Sequence, residues 1–201
     1  MAKDAQNLPL PERIAAVLHE ARWLVLAAVS IYLIMALGGY DRTDPGWSHA
    51  SSAASLSNPA GRFGAWLSDL ALFLFGLSAW WWVALLIGGC VWLSREVGTR
   101  ADRRPMYVAL GGFLMVLLAS SALEAIRFHS LSAQLPVGPG GMLGIELGRL
   151  ISQAFGFTGG TLLLLVTLCL GLSGMTGVTW LSASENVGRW LEQGWFGTLN
   201  A

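Results

Sequence analysis

The chain has 201 residues, of which 54% are apolar and only 12% charged. Twelve basic residues balance twelve acidic ones, leaving no net charge. A soluble globule carries about twice that share of charge, and a nucleic-acid binder needs a basic excess. Both classes are excluded, and so is a disordered tail.

Residues 1–22 form a polar N-terminal segment. Within it, 11–22 reads as a short amphipathic helix on the membrane surface, with Ile14, Val17, Leu18 and Ala21 on one face and Pro11 in the first turn. A bilayer core about 30 Å thick takes roughly 20 apolar helical residues, and four stretches approach or exceed that length. Span one is 23–39. The long polar segment before it and the further apolar runs after it make it a retained anchor rather than a signal peptide. The first outer loop, 40–65, opens with Asp41 to Ser48, where Asp44-Pro45-Gly46 favours a turn. Trp47 is expected to fold back to the membrane interface.

Span two is 66–93, with Asp69 near its start. It exceeds what the bilayer requires, so it should tilt, break or begin as an interfacial turn. Trp80, Trp81 and Trp82 lie mid-span as packing bulk, whereas Trp23, Trp66, Trp92, Trp180 and Trp190 suit the interfaces. The loop 94–105 follows, then span three, 106–126, with Glu124 near its end and Arg127 one turn on as an ion-pair partner. The second outer loop, 127–160, has a breaker cluster at 136–141. A helical pattern over 141–156 follows, with Leu143, Leu147, Leu150, Ile151 and Ala154 on one face. Gly140, Gly144 and Gly148 make a small-residue stripe that admits close backbone approach. This segment is too polar to span and reads as an interfacial or re-entrant helix. Residues 156–160 then turn the chain into span four, 161–181, where Gly171, Gly174 and Gly177 again suit helix packing. Ser182 to Glu185 matches a capping box opening a last helix with Val187, Trp190, Leu191 and Trp195, in a C-terminal segment, 182–201.

The fold class is therefore all-α: a polytopic membrane protein with four transmembrane helices plus short interfacial helices. The continuous apolar runs do not alternate as barrel strands do. Arg95, Arg100, Arg103 and Arg104 crowd the loop 94–105. Basic residues mark cytoplasmic loops, so both termini are expected in the cytoplasm.

Little enzymatic chemistry is legible. Lys3 is the only lysine, so no Walker A loop exists in these residues. Gly138, Gly140 and Gly144 have the wrong spacing for a dinucleotide loop, with Pro139 among them. Gly171-Leu172-Ser173-Gly174 matches a short intramembrane-protease pattern, but His19, His49 and His129 all lie outside the spans. Cys90 and Cys169 sit in apolar runs and read as buried thiols. No catalytic residue, metal or cofactor is expected. Asp69 and Glu124 could serve a small transporter or ion-coupled protein, although both sit near the outer ends of their spans, where interfacial placement is the simpler reading.

Taken together, several segments resemble the N-terminal four-transmembrane domain of the FtsK/SpoIIIE family of DNA translocases, in its proteobacterial form. Asp44-Pro45-Gly46-Trp47-Ser48 is similar to the family's D-P-x-W-S. Gly61 to Asp69 is similar to G-x-x-G-A-W-L-A-D, and Phe73 to Gly76 to F-x-F-G. Gly140-Gly141 through Leu147 is similar to G-G-x-x-G-x-x-L, and Gly159 to Thr161 with Gly171 to Trp180 complete the likeness. The resemblance implies a membrane anchor, at the septum, for a hexameric ATP-driven DNA pump. Its implied partners are the lipid bilayer, other cell-division membrane proteins and other copies of itself, with no nucleic acid bound by this segment. Because no motor motif is present, these residues read as an N-terminal fragment or a short relative. The implied partner-contact residues are Asp44, Pro45, Trp47, Ser48, Gly64, Trp66 and Asp69.

Overall fold

The computed structural model describes residues 10–50, 56–95, 106–128, 135–178, 185 and 189. The expected C-terminal helix apart from Glu185 and Arg189, most of loop 94–105 and the interfacial positions of Trp180 and Trp190 lie outside the described residues, as does the Trp92 side chain. The elements are α1 (Leu10–Gly38), α2 (Gly61–Phe75), a 3-10 turn (Gly76–Ala79), α3 (Trp80–Arg95), α4 (Met106–Arg127) and α5 (Gly141–Thr176). The described residues are all-helical, and four stretches are long and apolar enough to cross a membrane: Glu20–Gly38, Gly61–Val91, Met106–Arg127 and Gly141–Thr176. Helices are the natural solution, since lipid offers no partners for backbone N–H and C=O groups.

α1 contains both the predicted surface helix over 11–22 and span one, with no break between them. Its 29 residues give about 43 Å of helix. The other departures from the sequence pattern occur where glycine permits a break.

Span two breaks at Gly76, which has φ +61°. The preceding α2 does not descend through the bilayer. Its start lies beside α1, where the Tyr32 hydroxyl donates to the Ala60 carbonyl at 3.0 Å and the Asn58 amide to Ala36 at 2.9 Å. Its end lies beside α4, where the Ser121 hydroxyl donates to the Phe75 carbonyl at 3.2 Å. Tyr32 and Ser121 are each six residues from the loop-side end of their helices, Gly38 and Arg127. Both ends of α2 are thus at similar depth, and its 15 residues, about 22 Å, cross the top of the bundle. The descent is left to the 3-10 turn and α3. The Trp80–Trp82 cluster consequently sits at the first turn of α3 rather than mid-span.

The 36-residue α5 is likewise two limbs, joined at Gly156 (φ 71°, ψ 176°). Residues nine apart in a straight helix are about 13.5 Å apart. Yet a Cβ on Gly160 would lie 3.6 Å from the Ile151 carbonyl carbon. The chain therefore folds back on itself. The first limb, 141–155, leans across α4 from Ser121 to Ile126, and the second, 157–176, returns along α4 from Ala122 to Gly112. The second limb is about 30 Å long and is span four. It starts earlier than the expected 161 and ends at Thr176, where Gly177 (φ 76°) caps it; 179–181 lie outside the described residues.

Two apolar clusters tie these pieces together. Leu37, Leu72, Ala79, Val83 and Leu135 join α1, α2 and α3 to the second loop. Ala119, Ala122 and Leu164, flanked by Leu147 and Ile151, join α4 to both limbs of α5. Val25, Ile31, Leu110, Leu162, Val166 and Leu170 point outward, as lipid-facing side chains do. Within this frame α1 packs on α3, and α4 packs closely on α5.

Candidate functional site

Several residues singled out by sequence converge on a cap at the loop side, built on the buried carboxyls of Asp69 and Asp44 and the half-buried carboxyl of Glu124. Asp69, on the inward face of α2, is 1% exposed. Its Oδ2 accepts the Ser48 backbone N–H at 2.6 Å; its Oδ1 accepts the Ser48 hydroxyl at 3.1 Å and the Tyr40 hydroxyl at 3.3 Å. Gly46 must be glycine here, because a Cβ would lie 2.5 Å from Asp69 Oδ2. Asp44 is also buried and accepts the backbone N–H groups of Ser57 and Asn58, both at 2.8 Å. Asn58 passes the chain on, its side-chain oxygen accepting Ala60 N–H at 2.9 Å just before α2 begins. Asp44 of the D-P-G-W-S segment thus satisfies two backbone N–H groups, while Ser48 of the same segment is held by Asp69.

Burial, and then the neighbouring Asp69 carboxylate, push the Tyr40 hydroxyl up to about 12. Tyr40 therefore remains a hydrogen-bond donor throughout the physiological range. The N–H and hydroxyl of Thr43 hold the Asp41 carboxyl below its usual range. The Arg42 guanidinium reaches across to the carbonyls of Leu135 and of Pro136 (3.3 Å), clasping the first loop to the second.

The third carboxyl, Glu124 of α4, does not pair with Arg127 as expected. Its Oε1 accepts the Ser78 hydroxyl at 2.6 Å, and its Oε2 accepts the backbone N–H groups of Ser78 (3.2 Å) and Gly140 (3.0 Å). One side chain thus satisfies two chain breaks, the 3-10 turn and the start of α5, where backbone donors lack helical partners. Ser120 lies 2.7 Å from the Ser78 hydroxyl and extends the network. Arg127 sits instead over the Phe157 ring, 4.3 Å from its centroid. Glu124→Ala should cost about 2–5 kcal/mol, because it strands buried donors. Glu124→Gln, which keeps an acceptor, should cost less. Thermal unfolding in detergent micelles checks both.

The glycines of the stripe pack against α4. Gly140 and Gly144 lie against the Ser121 carbonyl, and Gly148 lies against Ile126 and Ala122. Gly171 lies against Gly112 and Val116. Gly174 is looser, a Cβ there standing 3.4 Å from the Gly112 Cα. Gly177 caps the helix, its N–H donating to the Ser173 carbonyl.

The expected partner-contact residues divide into two sets. Asp44, Gly64 and Asp69 are buried, so they hold the loop rather than present it; Pro45 is half-buried. Trp47, Ser48 and Trp66 are exposed. Trp47 packs edge-on against Phe73 at 5.0 Å between centroids, while Trp66 stacks on Phe63 at 6.1 Å. Sequence reading did not single out Tyr40, Asn58, Ser78, Ser120 or Ser121. The spacing of Ser120, Ser121 and Glu124 on one helical face was the available signal.

Other chemistry finds little support. Ser48, His49 and Asp69 come together, with His49 Nδ1 3.1 Å from the Ser48 hydroxyl and 3.9 Å from Asp69. That hydroxyl, however, already donates to Asp69 directly. Ser173 lies near the far end of α5, away from His49. Asp69 and Glu124 share no hydrogen-bond partner, and local donors occupy each. Among the described residues no three metal-ligating side chains cluster.

Residues 15–188 match the family model for the 4TM region of DNA translocase FtsK/SpoIIIE. The chain is 45% identical over 191 residues to DNA translocase FtsK 2 of Ralstonia nicotianae, a match covering 91% of this chain and 24% of the relative. It is 34% identical over 186 residues to DNA translocase FtsK 1 of Neisseria meningitidis serogroup A, covering 89% and 22% respectively. To DNA translocase FtsK of Pseudomonas syringae pv. syringae it is 35% identical over 175 residues, covering 86% and 22%. It thus spans less than a quarter of the length of these curated relatives. No solved structure matches it. On the family match and the four helices able to span a membrane, the chain belongs to the FtsK/SpoIIIE four-transmembrane family and is a multi-pass membrane domain.

Proposed function

We propose that this domain anchors an FtsK-like DNA translocase in the inner membrane at the division septum, where it links cell division to chromosome segregation. The observation that carries the reading is the family match over residues 15–188, which includes all four candidate spans. Both termini face the cytoplasm in this reading, supported by the arginines of loop 94–105. The loop-side cap then faces the outer compartment and meets other division proteins. ATP-driven DNA movement belongs to a motor outside these residues.

Trp47 is the main contact. It is 49% exposed on a loop that Asp44 and Asp69 fix from beneath. A pre-ordered aromatic side chain loses little entropy on binding, and such residues dominate interface energetics.

The test is imaging of a fluorescent protein fused after Ala201 in dividing cells. A mid-cell band supports septal targeting by these residues; an even outline around the whole membrane defeats it. Trp47→Ala should insert normally, since its ring contact is at the surface, but weaken the mid-cell band. A variant band as strong as the parent's would remove Trp47 from the contact.

A further inference from the structure

The four spans form two arms. In one, α1 packs on α3; in the other, α4 packs on the second limb of α5. The arms are held together at the loop side. Glu124 of the second arm holds Ser78 at the head of the first, and the Ser121 hydroxyl donates to Phe75. Gly76 meets Gly140 and Gly141 backbone to backbone. Arg42 clasps one loop to the other.

Among the described residues, contact between the arms fades away from that side. Trp82 packs edge-on against Phe113 at 4.9 Å between centroids. Beyond that level each helix turns to its own partner. The Cys90 thiol lies 3.7 Å from the Trp23 carbonyl within the first arm. Gly112 packs against Gly171, Gly174 and Met175 within the second. Nothing stands within 4 Å of a Cβ built on Gly88, Gly89 or Gly111. Ile87 and Leu110 are 45% and 51% exposed.

From this asymmetry we infer that the domain is a two-armed hinge, with the loop-side cap as fulcrum and the far ends of α3 and α4 free to part and close. The physical basis is the contrast in what each end must break to move. At the cap, motion breaks hydrogen bonds to buried groups such as Ser78 and leaves those groups unpaired. At the far ends, it exchanges apolar contact with protein for apolar contact with lipid, which costs little. Binding to the cap would then change the spacing of the chain ends on the other side, without any helix unfolding.

Spin-label distance measurements on the full chain in lipid nanodiscs test this, with Cys90 and Cys169 replaced by alanine. One pair, Leu56→Cys with Val137→Cys, reports the two loops of the cap. The other, Ile87→Cys with Leu110→Cys, reports the far ends of the arms. The expected result is a single narrow distance for the cap pair and a broad or two-population distribution for the far pair. Val91→Cys with Val108→Cys serves as a second far pair if the first does not insert. In the Glu124→Ala background the cap pair should also broaden. A far-pair distribution as narrow as the cap pair's, or a cap pair unmoved by Glu124→Ala, overturns the hinge.

Discussion

Gly144→Ala should be among the most destabilising single methyl additions in the domain. A Cβ at this position would run into the Ser121 carbonyl oxygen and lie 2.6 Å from its carbon. Both atoms belong to the backbone of α4, so no rotamer change relieves the clash; the two helices must separate. Such overpacking costs about 1–3 kcal/mol and occasionally more. Separation would also pull Gly140 from Glu124, to which its N–H donates at 3.0 Å, and push the cost to the top of that range. The matched control is Gly111→Ala. Position 111 is also helical, in α4, but nothing lies within 4 Å of its Cβ. There alanine should stabilise by about 0.5–1 kcal/mol through helix propensity alone. Thermal unfolding of purified protein in one detergent decides it: opposite signs are expected, and equal shifts would mean that α4 and α5 do not pack through this stripe.

Asp69→Ala should release the first loop while leaving the four spans inserted. Three donors, the Ser48 N–H, the Ser48 hydroxyl and the Tyr40 hydroxyl, lose their acceptor. Ser48 is exposed and can turn to water, so the half-buried Tyr40 hydroxyl carries most of the cost, about 1–3 kcal/mol. Limited proteolysis from the loop side should then cut within 40–50, a stretch resistant in the parent. Asp69→Asn should be milder, because one amide oxygen still accepts while the NH2 group faces a donor. Tyr40 supplies a second readout. Its hydroxyl titrates at about 12, owing first to burial and then to the Asp69 carboxylate. Asp69→Asn removes the second cause and leaves the first. Ultraviolet titration of the variant should show the highest tyrosine pKa falling part of the way toward 10. An unchanged titration would mean that Tyr40 and Asp69 are not in contact.

The sequence by itself determined the class of solvent, the helical nature of the chain and the number of spans. Long continuous apolar runs such as Met106 to Ile126 admit no other backbone solution in lipid. It also determined where breaks were allowed, through the glycines near 76, 140 and 156, and the excess length of 66–93 signalled that something there must give. Only the tertiary structure decided what the breaks accomplish. Span two and α2 share one apolar pattern, so hydropathy could not show that α2 crosses the top of the bundle while α3 descends. The partners of Asp69 and Glu124 were not legible, because position along a span says nothing about which neighbours converge on a side chain. Their partners lie far away in sequence: Ser48 is 21 residues from Asp69, and Ser78 is 46 from Glu124. Arg127 looked like a partner for Glu124 because spacing of i to i+3 is visible in one dimension. The N–H groups of Ser78 and Gly140 won because unpaired backbone donors at a break in lipid are costlier than an exposed arginine that can face water or an aromatic ring.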